Sequence, residues 1–423
     1  MQQPFCFSRS FAENSAAWTC PRRRSCVKIQ IERRACARPR KKRKLVVIVL
    51  QTGLRRTDTD MTKGSVLGRL VAFAVPLLIG NIFQQLYNTV DSVVVGNFVG
   101  KEALAAVGSV APVVNMLIGF FNGFATGAGI LRAVGDTRRP LYFLIFSAVT
   151  NTVLDLLFVT VFHMGVSGVA IATILAQFAS AVLVMVVLTR STSDYRIVWR
   201  GMRLNKKMFG SICRLGFPAA VQLAVTSFSN IFVQSYINRF GADCMAGWTS
   251  HNKIDSFVLL PIMTISLAVT TFVGQNLGAG NYERARSGAK SGLLIGLIIM
   301  AVVLVPLYIF APQIVTLFNK EAEVVEFGGL FIRIVAPFYL MFAINQVYSG
   351  ALRGAGDTRS TMFIMLGSFV VFRQVYLFAV YKLGGGIDAI VLGYPAGWVL
   401  CSILLLIYYY RGGWFKKLQA GIV

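Results

Sequence analysis

From residue 61 onward, long apolar runs alternate with short polar links, and the runs set the architecture. Stretches long enough to span a bilayer fall at roughly residues 68–96, 105–129, 140–162, 166–189, 211–237, 244–273, 289–312, 327–350, 361–381 and 388–410. The pattern predicts an all-α membrane protein of about ten transmembrane helices. The links carry Gly, Asn and Asp and leave no room for a sizeable soluble domain.

The pattern repeats. Leu131-Arg132-Ala133-Val134-Gly135-Asp136-Thr137-Arg138 returns as Leu352-Arg353-Gly354-Ala355-Gly356-Asp357-Thr358-Arg359, each copy between two apolar runs. Gly135 and Gly356 suit a left-handed helix stop, and Asp136 and Asp357 suit the cap of the helix that follows. A second pair of landmarks, Phe73 to Pro76 with Asn88 and Leu215 to Pro218 with Asn230, lies at an offset of about 142, whereas the link lies at about 221. The first copy is therefore shorter by roughly 79 residues, about two membrane helices. The shortfall falls near Gly129 to Leu131, so the two pseudo-symmetric bundles are expected to hold four and six helices.

Charge refines the topology. The net charge of +25 would suit a nucleic-acid ligand, but the basic residues of the body fall on alternate links. One set holds Arg132, Arg138, Arg139, Arg190 to Lys207, Arg284 to Lys290, Arg353, Arg359, Arg411, Lys416 and Lys417; the opposite set holds only Lys101, Arg239, Lys320 and Lys382. The positive-inside rule then places both termini in the cytoplasm. At 56% hydrophobic and 14% charged residues, a soluble class is excluded.

Residues 1–60 read differently. They hold four of the seven cysteines, Arg22-Arg23-Arg24 and a basic cluster from Arg38 to Lys44, with only Leu45 to Leu50 apolar. That segment is expected to be a disordered basic N-terminal extension. The remaining divisions are a shortened first lobe over 61–190, a cytoplasmic linker over 191–210 and a six-helix lobe over 211–423. The cysteines form neither a disulfide framework nor a metal spacing. His163 and His251 are too isolated to argue for a site.

Polar side chains inside the spans are the candidate chemistry, because an ionisable group in hydrocarbon costs a few kcal/mol. Gln84, Asn88 and Asp91 line one stripe of the first span. Ser147, Asn151 and Asp155 follow four apart on the third, with Asp155 deep in the span. A buried carboxylate there can exchange a proton, or bind Na⁺ with oxygens from Asn151 and from Thr173 on the next span. In the second half Gln222, Thr226 and Asn230, with Asn345 and Gln346, suit cavity lining or helix packing. Arg373 is a lone basic residue well inside a span, with no partner evident in the sequence. Asp255 and Asp388 read as interfacial.

These residues resemble a known family. Pro76 with Asn88-Thr89-Val90-Asp91, the run Gly274-Gln275-Asn276-Leu277-Gly278-Ala279-Gly280-Asn281, the doubled link and Asn151-Thr152-Val153-Leu154-Asp155-Leu156 are similar to the multidrug and toxic compound extrusion transporters. The resemblance covers residue 61 to the end. It implies two six-helix lobes around a cavity that opens alternately to either side, exporting cationic or amphipathic organic compounds in exchange for H⁺ or Na⁺. Asp91, Asn151, Asp155 and Thr173 match its ion-coupling group, which would also be the Na⁺ ligands. Gln84, Asn88, Gln222, Thr226, Asn230, Asn345 and Gln346 would line the substrate cavity.

The expected setting is a bacterial inner membrane, as a monomer with no cofactor and no nucleic-acid partner. An enzyme is not expected, since no nucleophile-base pair or phosphate-binding loop is present. The chain departs from the resemblance in lacking the family's third helix and essentially all of the fourth. Two alternatives therefore stay open: a non-transporting remnant, and a lipid-linked sugar flippase of related architecture, which would carry more cavity cations than Arg373.

Overall fold

Both copies of the doubled link close in the same way. In a computed structural model of the chain, which describes residues 60–98, 126–191, 196–199 and 205–411, Gly135 and Gly356 take φ of 93° and 85°. The amide of Gly135 donates to the carbonyl of Arg132 and that of Asp136 to Leu131; Gly356 and Asp357 repeat this onto Arg353 and Leu352. Such paired backward bonds satisfy carbonyls at a helix end, and they need the left-handed residue that glycine supplies. Asp136 Oδ1 then accepts from the amides of Arg138 and Arg139 at 3.2 Å. Asp357 Oδ1 accepts from the amide of Ser360 at 3.2 Å.

The helices run in chain order. The first lobe holds α1 (Val66–Phe98), α2 (Thr126–Ala133), α3 (Arg138–Leu156), which continues as a π segment (Leu157–Val161), and α4 (Gly165–Arg190). The second holds α5 (Lys206–Ile237), α6 (Ala242–Val258), α7 (Leu260–Gly278), α8 (Tyr282–Ile309), the short α9 (Ala311–Val315), α10 (Ala322–Val335) and α11 (Tyr339–Gly354). It ends with α12 (Thr358–Leu366), a π segment (Gly367–Phe372), α13 (Arg373–Lys382), α14 (Ile387–Val391) and α15 (Gly393–Arg411). Among the described residues nine segments are long and apolar enough to cross a bilayer. The span expected at 105–129 lies almost wholly outside the described residues.

The landmark prolines Pro76 and Pro218 sit inside α1 and α5. Membrane helices tolerate such breaks because neighbours re-satisfy the freed backbone groups. Each link helix passes through a π turn, but at a different depth: Leu157–Val161 in the first lobe, Gly367–Phe372 in the second.

Packing is uneven between the lobes. A large core threads the second lobe and takes in Leu70, Phe73 and Leu77 of α1, with Tyr339, Phe331, Phe272, Val347, Ala351 and Cys401 among its other buried members. In the first lobe Leu131, Phe143, Val184 and Leu188 form a small cluster. Along α3 an apolar row of Tyr142, Phe146, Val149 and Val153 is exposed, each position three or four beyond the last.

The lobes meet at the end that bears the basic links. Gln275 Oε1 accepts from the amide of Met61 at 3.2 Å, and Gln275 Nε2 donates to the carbonyl of Ala133 at 2.7 Å. Arg284 donates to the carbonyls of Met61 and Lys63 at 3.2 and 3.1 Å. Deeper in, Asn81 Nδ2 donates to Thr264 Oγ1 at 3.1 Å.

Candidate functional site

In the first lobe, the four-residue stripe of α3 faces α4. Ser147 Oγ donates to the carbonyl of Ala176 at 3.1 Å, and Asn151 Nδ2 donates to Thr173 Oγ1 at 3.3 Å. Thr173 Oγ1 in turn donates to the carbonyl of Val169 at 3.0 Å. Asp155, one turn beyond Asn151 and directly before the π segment, is 0% exposed. The structure thus joins Asn151 to Thr173 and places Asp155 on the same buried face. Gln84, on α1, is partly buried. The side chains of Asn88 and Asp91 lie outside the described residues.

The polar set of the second lobe divides into two kinds. Asn345 is fully buried, donating to the carbonyl of Trp398 at 3.0 Å and accepting from Ser402 Oγ at 2.8 Å. Both ends of its amide are used in joining α11 to α15, so it packs helices rather than lining a cavity. Gln346 is buried beside it, and its carbonyl accepts from Ser266 and Ser349. Gln222 Nε2 lies 3.1 Å from the sulfur of Met365, a weak acceptor. Thr226 is partly buried and Asn230 exposed.

Arg373, which showed no partner in the sequence, finds three. Its Nη2 donates to Ser229 Oγ at 2.7 Å and to Asn230 Oδ1 at 2.8 Å. Its guanidinium also lies 4.7 Å from the ring centre of Tyr394, a cation–π distance.

Two residues set aside in the sequence prove to be neighbours. Asp255, read as interfacial, has partners: its carboxylate accepts from the Tyr339 hydroxyl and lies 3.7 Å from Nε2 of the buried His251. The signal was their four-residue spacing on one helix, which puts both on one face of α6. The tyrosine is far away in sequence and could not be foreseen. His251 also packs tilted against Trp248, with ring centres 5.1 Å apart, and Trp248 against Tyr394 at 5.4 Å. Among the described residues no group of three or more His, Cys, Asp or Glu is arranged to hold a metal ion.

Comparison with known proteins follows from this geometry. A family model described as MatE matches residues 76–129 and 218–378, together just over half of the chain. The probable multidrug resistance protein YpnP of Bacillus subtilis (strain 168) is 27% identical over 437 residues, covering 84% of this chain and 97% of its own. That match is longer than the 423-residue chain itself, so part of YpnP has no counterpart here. The probable multidrug resistance protein NorM of Thermotoga maritima is 29% identical over 311 residues, 70% of this chain and 65% of its own. A crystal structure of MATE in complex with MaL6 superposes with a TM-score of 0.77 at 20% identity, over 86% of this chain and 100% of that one, a likeness of fold. With half its length following the MatE pattern and its helices arranged as in MATE crystal structures, the chain belongs to the MatE family of multi-pass membrane transport proteins.

Proposed function

We propose that the chain is a cation-coupled antiporter that exports cationic or amphipathic organic compounds across a bacterial inner membrane by alternating access, with both termini in the cytoplasm. The observation that carries this reading is Asp155: a carboxylate with no exposed surface, on the buried face that also holds the Asn151–Thr173 pair. The names of YpnP and NorM, both multidrug resistance proteins, support the substrate class.

The mechanism follows from charge in a low-dielectric place. With Asp155 ionised, the site attracts H⁺ or Na⁺, and Asn151 and Thr173 offer further oxygens. Binding the ion neutralises the carboxylate, which changes the stability of the α3–α4 contact and biases the lobe toward one of two states. Asp91 and the Gln84–Asn88 stripe belong to the same proposed path on α1, and Gln222, Thr226 and Asn230 to the substrate side of the second lobe.

Ethidium efflux from cells expressing the chain tests this. Asp155→Asn is expected to lower efflux at least about tenfold, the scale of losing a group that drives the cycle, at unchanged abundance. Equal efflux in both would remove Asp155 from the mechanism.

A second reading, a remnant that inserts but does not transport, is favoured by the roughly 79-residue shortfall of the first repeat. Restoring a two-helix segment after Gly129 separates the two, because a remnant would gain efflux and a working transporter would not need it.

A further inference from the structure

The repeat gives each polar residue of one lobe a counterpart in the other. Carrying the offset of about 221 across the link places Thr152 on Arg373, Asp155 on Tyr376 and Thr173 on Tyr394. The offset of about 142 on the first helix of each repeat places Asn88 on Asn230 and Asp91 on Val233. Where the first lobe has two carboxylates the second has none, and it has gained a guanidinium.

That guanidinium is buried without a paired carboxylate among the described residues. Arg373 is 4% exposed, within a membrane-spanning segment. Among the described residues no carboxylate forms an ion pair with it, and both hydrogen bonds it makes come from one nitrogen, Nη2, to neutral oxygens. Its Nε is buried with no hydrogen-bond partner. Tyr394 lies near enough to both to feel the charge of Arg373 and of Asp255, and Asp255 forms no ion pair with Arg373. A charged group so placed costs several kcal/mol unless it meets an opposite charge. Ser229 Oγ and the exposed Asn230 take both N–H bonds of Nη2, which fixes the guanidinium plane and leaves Nη1 to donate to a carboxylate or phosphate oxygen.

We propose that Arg373, oriented by Ser229 and Asn230 and faced by Tyr394, receives the carboxylate or phosphate of an amphipathic ligand in the second lobe. The inference rests on the transporter reading and sharpens its substrate class. The first lobe takes the small cation, the second the anionic end of a zwitterionic or acidic compound, and the Tyr394 and Trp248 rings offer an apolar surface beside it.

Binding to the purified full chain in phosphatidylcholine nanodiscs tests this, with norfloxacin, its ethyl ester and ethidium as probes. The acid is expected to bind about tenfold more tightly than the ester, the scale of one charge-assisted hydrogen bond. Arg373→Gln is expected to bring acid and ester within about twofold of each other and to leave ethidium unchanged. Asn230→Ala, at an exposed position, should narrow the gap by a few fold even where Arg373→Gln fails to fold. Loss of the preference in phosphatidylglycerol discs alone would support the site and make a lipid phosphate its occupant. Equal binding of acid and ester by the unaltered chain, or a preference that survives Arg373→Gln, would overturn the proposal. If ethidium still binds in that event, the transporter reading stands; if no probe binds, both fall.

Discussion

Asn276 Nδ2 donates to the backbone carbonyl of Met61 at 3.1 Å, across more than two hundred residues of chain. The same nitrogen donates to the carbonyl of Phe272 at 2.8 Å, and the Asn276 side chain is fully buried. With Gln275 and Arg284 it gives the Gly274-to-Asn281 run a physical role, a latch holding the segment before α1 against the second lobe. Asn276→Ala removes one of the two donors to the Met61 carbonyl and leaves it Arg284 Nε, at a cost of about 1 kcal/mol for the lost hydrogen bond. A cysteine at Lys63 should then react faster with a membrane-impermeant maleimide than in the unaltered background. An unchanged rate would show that the latch is not strained by that loss.

Gly354 lies where α11 crosses α7. A methyl group there would sit 2.4 Å from the carbonyl oxygen of Thr270, which is backbone and cannot turn aside. Gly354→Ala should therefore lower the thermal midpoint in detergent by several degrees, the scale of about 1–3 kcal/mol from overpacking. Gly367, with nothing within 4 Å of the added carbon, provides the control, and Gly367→Ala should change the midpoint little.

The two link aspartates carry unequal loads. Asp357 caps Ser360 and also accepts from the Tyr408 hydroxyl at 2.5 Å, whereas Asp136 caps Arg138 and Arg139 and pairs with the Arg139 side chain at 3.2 Å. Either change to Ala should cost about 1 kcal/mol from the cap alone. Because the Asp136–Arg139 pair is buried, salt screens it little, and the deficits of both variants should persist in 1 M salt. Thermal melts at two salt concentrations check this.

Asp255 and Tyr339 form a buried pair beside His251. Tyr339→Phe and Asp255→Asn should each destabilise the second lobe. The double variant should be milder than the sum, with a coupling of about 0.5–3 kcal/mol. A coupling within error of zero would mean that the hydroxyl contributes nothing to holding the carboxylate.

How much of this was written in the sequence depended on range. Span positions, the link turns and the Ser147–Asn151–Asp155 face were legible because each rests on spacing within one helix, and the doubled link supplied its own control. Partners across helices were not legible. Arg373 showed no partner because Ser229 and Asn230 lie over a hundred residues earlier, and Asp255 read as interfacial because Tyr339 comes from another helix. Asn345 looked like a cavity residue since an amide's environment, not its period, decides whether both ends are already bonded.

The disparity in core between the lobes has a consequence for handling the protein. Among the described residues α2, α3 and α4 share a small apolar cluster of their own, while α1 joins the contiguous interior that runs through the second lobe. Free energies of opening follow local packing, so a detergent that strips lipid will loosen α3 and α4 while α7, α8 and α11 stay assembled. Denaturation should therefore come in two waves, and the sector bearing Asp155 is the one that comes apart early.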